Sequence, residues 1–296
     1  MSAIQPTSGN STSSVLGRRL GGELTKLRTA TGLTQTDAAR VLTSTITKIT
    51  KMERGLVPMR DPDIRALCEL YEVRDPGVVG RLLELARLDR ERRKAKGWWD
   101  DYTLLGAMQE YVTLENAATA IRTWQPGYVP GLLQTRGYVN ALRTTPASAA
   151  TEPRRGPDKE FISARLARQQ RLFAEPPLSY HALVYEAALR NIPGSTETGR
   201  EQLDHLMQLA DLPNLTLQVF PLGAGTHQGM NGSFNIISFA EPGAMDVVYS
   251  ESVLTQLWIE GGEGAAQYDE LFGMIAGRSL GQQDSQQFIH KLRKDL

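Results

Sequence analysis

Thr47, Lys48, Thr50 and Lys51 gather two ammonium groups and two hydroxyls within five residues. On a helix, Ile49 and Met52 would face inward and these four outward, giving a surface that donates hydrogen bonds and attracts anions. The surrounding charge has the same sense. Positions 1–60 hold nine basic residues against three acidic ones, a net of +6, whereas the whole chain has 33 of each sign and the remainder is therefore −6. A basic module joined to an acidic one suits local phosphate attraction, because the nearby field counts and the whole-chain sum does not. The bland alternative is an ordinary solvated helix face.

Elsewhere the residues with reactive side chains are dispersed. His181, His205, His227 and His290 are widely separated, and no HExxH, GxSxG, glycine-rich phosphate loop or metal-ligand cluster occurs. The expectation is therefore no catalytic residue, no cofactor, no metal and no enzyme activity, with an unrecognised enzyme in the second half as the weakest alternative. His227, in GAGTHQGMNGS, has the company of a small-molecule pocket, but a hairpin-like connection accounts for it more simply. Glu186 and Glu251 fall at strand ends, where carboxylates commonly cap loops. Arg165, Arg168 and Arg171 recur every three residues on one helix, facing either an anionic ligand or the protein's own acidic groups. Trp98, Trp99, Tyr102, Trp124 and Tyr128 read as packing rather than a cofactor box.

The elements that must hold the cationic surface are legible from periodicity. Leu16, Leu20, Leu24 and Leu27 recur at three- and four-residue steps from Val15 to Thr31, an amphipathic helix stopped by Gly32. Thr34 can cap a second helix, Gln35 to Leu42, in which Ala38 and Ala39 permit close approach. Thr43 and Ser44 turn the chain, Thr45 caps a third helix from Ile46 to Arg54, and Gly55 closes it. A fourth begins at Asp61 or Asp63 with Ile64, Leu67, Cys68 and Tyr71 buried; a fifth begins at Asp75 with Val78, Leu82, Leu85 and Leu88. Two short helices across a tight turn, the second offering small polar and basic side chains, form a helix-turn-helix.

The segment TGLTQTDAARVLTSTITKITKMERGLVPM resembles the XRE family of phage-repressor-like regulators, in which GLTQ opens the second helix and an Ile-to-Glu-x-Gly stretch, here Ile49 to Gly55, ends the third. The resemblance implies contact with double-stranded DNA, residue by residue. Thr34 and Gln35 would hold a phosphate; Ile46, Thr47, Lys48 and Lys51 would face base edges, with Thr45 at the start of the same helix; Thr50 and Arg54 would meet phosphates. Glu53 would repel phosphate and is expected in a structural hydrogen bond to the neighbouring loop. Thr43 stands where the family usually has glycine, which suggests a slightly different turn.

The charged run RLDRERRKAK, residues 87–96, marks the boundary, read as a solvated helix end in preference to a second phosphate contact. Beyond it, helices are expected at about 98–123, Leu132 to Leu142, Lys159 to Phe173, 198–211, 263–277 and 283–294. A Trp-Gln-Pro-Gly-Tyr-Val-Pro-Gly turn follows the first of these. Strands are expected at Leu178 to Tyr185, Leu215 to Phe220, Ser233 to Phe239 and Asp246 to Tyr249. The stretches WQPGYVPGLLQTRGYVNAL, RLARQQRLF, VYEAALRN and GSFNIISF resemble the C-terminal domain of a large group of actinomycete XRE regulators. That resemblance implies antitoxin-like pairing with a small protein encoded nearby, and no reaction. The organisation expected is thus a disordered lead-in over 1–14, an all-α, lambda-repressor-like domain of five helices over 15–96, and an α+β domain over 97–296.

Composition excludes other classes. No apolar run reaches the roughly 18 residues of a membrane span, and MSAIQPTSGNSTSS lacks the basic and apolar parts of a secretory signal. The single cysteine, Cys68, suits core packing in a reducing cytoplasm. A single recognition helix reads few base pairs, so a homodimer is expected, with the second domain dimerising and responding to a small protein or small-molecule ligand. The other reading is an antitoxin-like protein that sequesters a small partner and binds DNA mainly for autoregulation.

Overall fold

In a computed structural model of the chain, residues 14–94, 97, 102, 108–144, 158–240, 245–252 and 255–296 are described. The chain divides into two compact units, Met1–Ala95 and Lys96–Leu296. The lead-in up to residue 13 lies outside the described residues, as do Trp98, Trp99, Leu104 and Leu105. Ser14, counted with the lead-in, is instead the N-cap of the first helix, its hydroxyl accepting from the Gly17 amide.

The described part of the first unit is helical throughout: α1 (Val15–Ala30), α2 (Gln35–Val41), α3 (Ile46–Glu53), α4 (Asp61–Leu70) and α5 (Pro76–Lys94). Each start has a physical cause. Thr34 and Asp37 form a reciprocal capping box on α2, Thr45 accepts from the Lys48 amide at α3, and Asp75 accepts from the Gly77 amide at α5. The apolar stripes converge on one core containing Leu20, Leu24, Ile49, Met52, Ile64, Leu67, Cys68, Tyr71, Leu82 and Ala86. Burying a leucine of this kind stabilises by about 1.5–3 kcal/mol. Burial also pushes the Cys68 thiol above its usual range and the Tyr71 hydroxyl up to about 12.

The turn between α2 and α3 corrects one expectation. Thr43 takes φ 47°, in the left-handed region that glycine occupies freely, so the threonine adopts a glycine-like conformation rather than bending the chain another way. The end of α3 is equally determined. The Leu56 amide bonds the Lys51 carbonyl at 2.8 Å and the Gly55 amide bonds that of Met52 at 2.9 Å, with Gly55 at φ 64°.

The second unit is α+β. Its sheet has six strands in the order β3-β2-β1-β4-β5-β6, where β1 is Ala120–Gln125, β2 Ser179–Tyr185, β3 Leu215–Phe220, β4 Phe234–Ser238, β5 Val247–Glu251 and β6 Gln256–Glu260. Strands β1, β2 and β3 run parallel; β4 lies antiparallel to β1, and β5 and β6 continue antiparallel. The helices are α6 (Gln109–Ala117), α7 (Arg136–Thr144), α8 (Asp158–Gln169), α9 (Glu186–Arg190), α10 (Thr196–Leu209), α11 (Gly262–Arg278) and α12 (Gln282–Asp295). Trp124, Leu183, Phe220, Phe234, Ile236 and Val248 form a sheet-side core against Phe272 and Ile275 of α11. Among the described residues, no helix is long and apolar enough to cross a membrane.

The expected helix over about 98–123 is helical from Gln109 to Ala117 and fails over its last six residues. Helical structure ends at Ala117; Ala118 turns extended at ψ 146°, and Ala120–Gln125 becomes β1. Ile121, Thr123 and Trp124 are β-branched or aromatic and fully buried, and pairing on both sides rewards that shape. Trp124 and Gln125 therefore belong to the strand, and the expected turn starts only at Pro126. A three-residue 3-10 turn, Gly131–Leu133, precedes α7, so that helix starts later than expected. Strand β6 and the short α9 carry no clear period and were not expected.

Candidate nucleic-acid interface

The third helix presents the outward surface that its residue types require. Ile49 and Met52 are buried, whereas Thr45, Ile46, Thr47, Lys48, Lys51 and Arg54 are exposed and Thr50 is half-buried. Ile46 keeps 49% of its surface open. The ammonium groups of Lys48 and Lys51 make no hydrogen bond or ion pair among the described residues.

The inner side of α3 is locked to its neighbours. Arg28 of α1 donates to Glu53 through Nε at 2.7 Å and Nη2 at 3.1 Å, while its Nη1 reaches the Leu33 carbonyl at 2.8 Å. Both side chains are about nine-tenths buried, 11% and 10% exposed, and the bond to Glu53 raises the Arg28 pKa further. Gln35 of α2 completes the knot: its Nε2 donates to Glu53 at 2.7 Å, and its Oε1 lies 3.0 Å from the Thr50 hydroxyl. Glu53 is thus structural, as expected, but its partners are Arg28 and Gln35; the loop carbonyl is reached by Arg28 instead.

The sequence-nominated phosphate contacts border this surface. Thr34 is exposed, and its amide and hydroxyl both engage the Asp37 carboxylate, at 3.0 and 2.7 Å. Those bonds, with Arg40 beside them, hold the Asp37 carboxyl below the usual range. Gln35 is held at both ends of its amide, so the side chain ties α2 to α3.

Three arginines of the charged run before the boundary bond within the first unit. Arg87 bridges Glu84 and Glu91, and Arg90 bonds the Met59 carbonyl and Asp61. Arg93 bonds Asp89, Ser14 and the Gly55 carbonyl. Sequence reasoning missed Arg28, Asp89 and Arg93 as supports of α3. A signal existed: Arg28 continues the Leu20–Leu24 stripe four residues on, and Asp89 and Arg93 continue that of Leu82 and Ala86.

In the second unit most of the nominated residues are engaged in internal contacts, but Tyr128, expected as packing, keeps 58% of its surface exposed. Arg168 makes a buried bidentate pair with Glu115, both bonds 2.7 Å. Arg171 donates to the carbonyls of Asn116, Pro176 and Ala118, and Arg165 lies over the Phe161 ring. His181 Nε2 bonds Gln218 at 2.7 Å with its ring against Phe272. His227 accepts from the Gly229 amide and sits against Trp124 and Phe220. Glu186 accepts from Arg190 and the Leu222 amide, the loop-capping role, whereas Glu251 ends β5 exposed.

A family described as Helix-turn-helix domain matches residues 19–79, and one described as Domain of unknown function (DUF5753) matches residues 108–291. No curated protein and no solved structure matches the chain. With the geometry of α2 and α3, the first match makes the N-terminal unit a DNA-binding helix-turn-helix domain and the chain a DNA-binding regulator in the general sense.

Proposed function

We propose that this chain, which belongs to the DUF5753 family, is a sequence-specific transcriptional regulator that lays α3 in the major groove. The observation that carries this is the division of α3 into a locked side at Glu53 and an open side at Lys48 and Lys51. A helix fixed from beneath with cations left outward can meet base edges without reorganising. Lys48 and Lys51 would donate to guanine O6 and N7, and Ile46 and the Thr47 methyl would touch thymine methyls. Thr45, Thr50 and Arg54 would border the reading surface and meet phosphates. Thr34 and Gln35 would serve a phosphate through the first turn of α2, with the Gln35 side chain holding α2 and α3 in register.

The second unit, in this proposal, is a non-catalytic sensor that dimerises and answers a small protein or small-molecule partner. Two observations support it: Arg168, His181 and His227 are committed to internal bonds, and one α3 alone reads few base pairs. The test is a duplex enriched from a random pool by the full chain. Lys48→Ala is expected to weaken that duplex by about 1–3 kcal/mol and scrambled DNA far less. Equal losses on both duplexes would remove base reading from Lys48.

A further inference from the structure

Ser14, Gly55, Asp89 and Arg93 come from the start of α1, the residue two beyond α3, and the last two turns of α5. Arg93 Nε contacts both Asp89 oxygens, at 3.0 and 2.9 Å. Its Nη2 donates to the Gly55 carbonyl at 2.6 Å and to the Ser14 hydroxyl at 2.7 Å. The Ser14 hydroxyl in turn bonds Asp89, and the Ser14 amide bonds the same Gly55 carbonyl at 3.2 Å. Asp89 is a carboxylate with 1% of its surface exposed, placed where only a fixed cation makes burial tolerable.

This bracket closes on the end of α3. A Cβ on Gly55 would lie 2.2 Å from the Arg18 amide nitrogen, and one on Gly21 would lie 2.3 Å from the Glu53 carbonyl oxygen, so α3 ends directly against the α1 backbone. The guanidinium also faces the negative end of the α3 dipole. Since the Leu56 amide reaches back to the Lys51 carbonyl, a shift at Gly55 is a shift at Lys51. Gln35 and Arg28 hold the inner side of α3; Arg93 holds its exit.

We propose that Arg93 is a positioning residue for DNA reading: it fixes the C-terminal end of α3, and hence the aim of Lys51, from the helix turn that immediately precedes the second unit in sequence. This rests on α3 being the reading helix. The structural consequence is that a change imposed on the last turn of α5 reaches α3 through the Arg93 guanidinium.

The experiment uses the full chain, a duplex it enriches from a random pool, and a scrambled duplex. Arg93→Lys keeps a cation beside Asp89 and loses the donor to Gly55. The expected result is a preference for the enriched duplex reduced about tenfold, comparable to one mismatched base pair, with the salt slope unchanged because Lys48 and Lys51 remain. An unchanged preference would overturn the proposal, and so would equal weakening on both duplexes accompanied by a lower melting temperature. Should Arg93→Lys fail to fold, Ser14→Ala decides: it leaves the Arg93–Asp89 pair intact and is expected to lower the preference about two- to fivefold, whereas an unaltered preference overturns the bracket. An unsubstituted chain with no preference for any duplex is a separate outcome, which overturns the reading role of α3 itself.

Discussion

Lys48 and Lys51 on α3, and Arg165, Arg168 and Arg171 running from α8 into the 3-10 turn behind it, repeat cations every three residues. On α3 the two ammonium groups are exposed and meet no protein partner among the described residues. On the other segment, Arg168 is 7% exposed and paired with Glu115, Arg171 is bonded to three carbonyls, and Arg165 lies over Phe161. The spacing is shared; the environment opposite it differs. α3 keeps its carboxylate, Glu53, on its inner side, whereas α6 turns Glu115 directly to Arg168. A cation contributes to recognition only when the fold supplies no internal acceptor for it.

The largest effect that sharpens this contrast is expected from Arg168→Met. Glu115 would then be a buried charge without its counterion, a loss of about 3–5 kcal/mol in stability. Denaturant unfolding followed by tryptophan fluorescence reports the second unit, because all four tryptophans lie beyond residue 97. Unfolding energetics like those of the parent would mean that the pair carries no structural role.

A smaller effect separates the units by pH. Burial, first among the causes, lowers the pKa of His181, His205 and His227, all in the second unit. Their folded values lie below the unfolded value of about 6.5, so they oppose folding only once the unfolded chain binds protons. The second unit is thus expected to lose stability as pH falls from about 7.5 to 5.5. The first unit has no histidine. Its lowered Asp37 contributes stability above the ordinary carboxylate value of 3.8, lost only as pH falls through the depressed value. A melting temperature of the second unit that stays flat across this window, or a first unit that falls with it, would contradict the assignment.

Much of the first unit was legible in the sequence because its elements are short, capped and periodic. Thr34, Thr45 and Gly55 mark where α2 and α3 begin and end, and Leu20, Leu24, Ile49 and Met52 mark the inward side. What periodicity concealed was polar: Arg28, Asp89 and Arg93 occupy apolar stripes, and their partners are distant in sequence. In the second unit, the helix expected over about 98–123 overruns the start of β1 because Ile121 continues the three- and four-residue steps of Tyr111, Leu114 and Ala118. Long-range pairing with β2 and β4 decides that segment, and no local pattern encodes it. The conformation of Thr43 was likewise hidden, since only the tertiary fold forces a β-branched residue to φ 47°.

The most direct measurement is the salt dependence of binding to the enriched duplex for the parent, Lys51→Ala and Arg165→Ala. Lys51→Ala is expected to reduce the slope of log affinity against log salt by about one, as expected for one lost cation at the DNA, while Arg165→Ala leaves it unchanged. An undiminished slope for Lys51→Ala, or an equal reduction for Arg165→Ala, would show that the cations of α3 are not the ones that meet DNA.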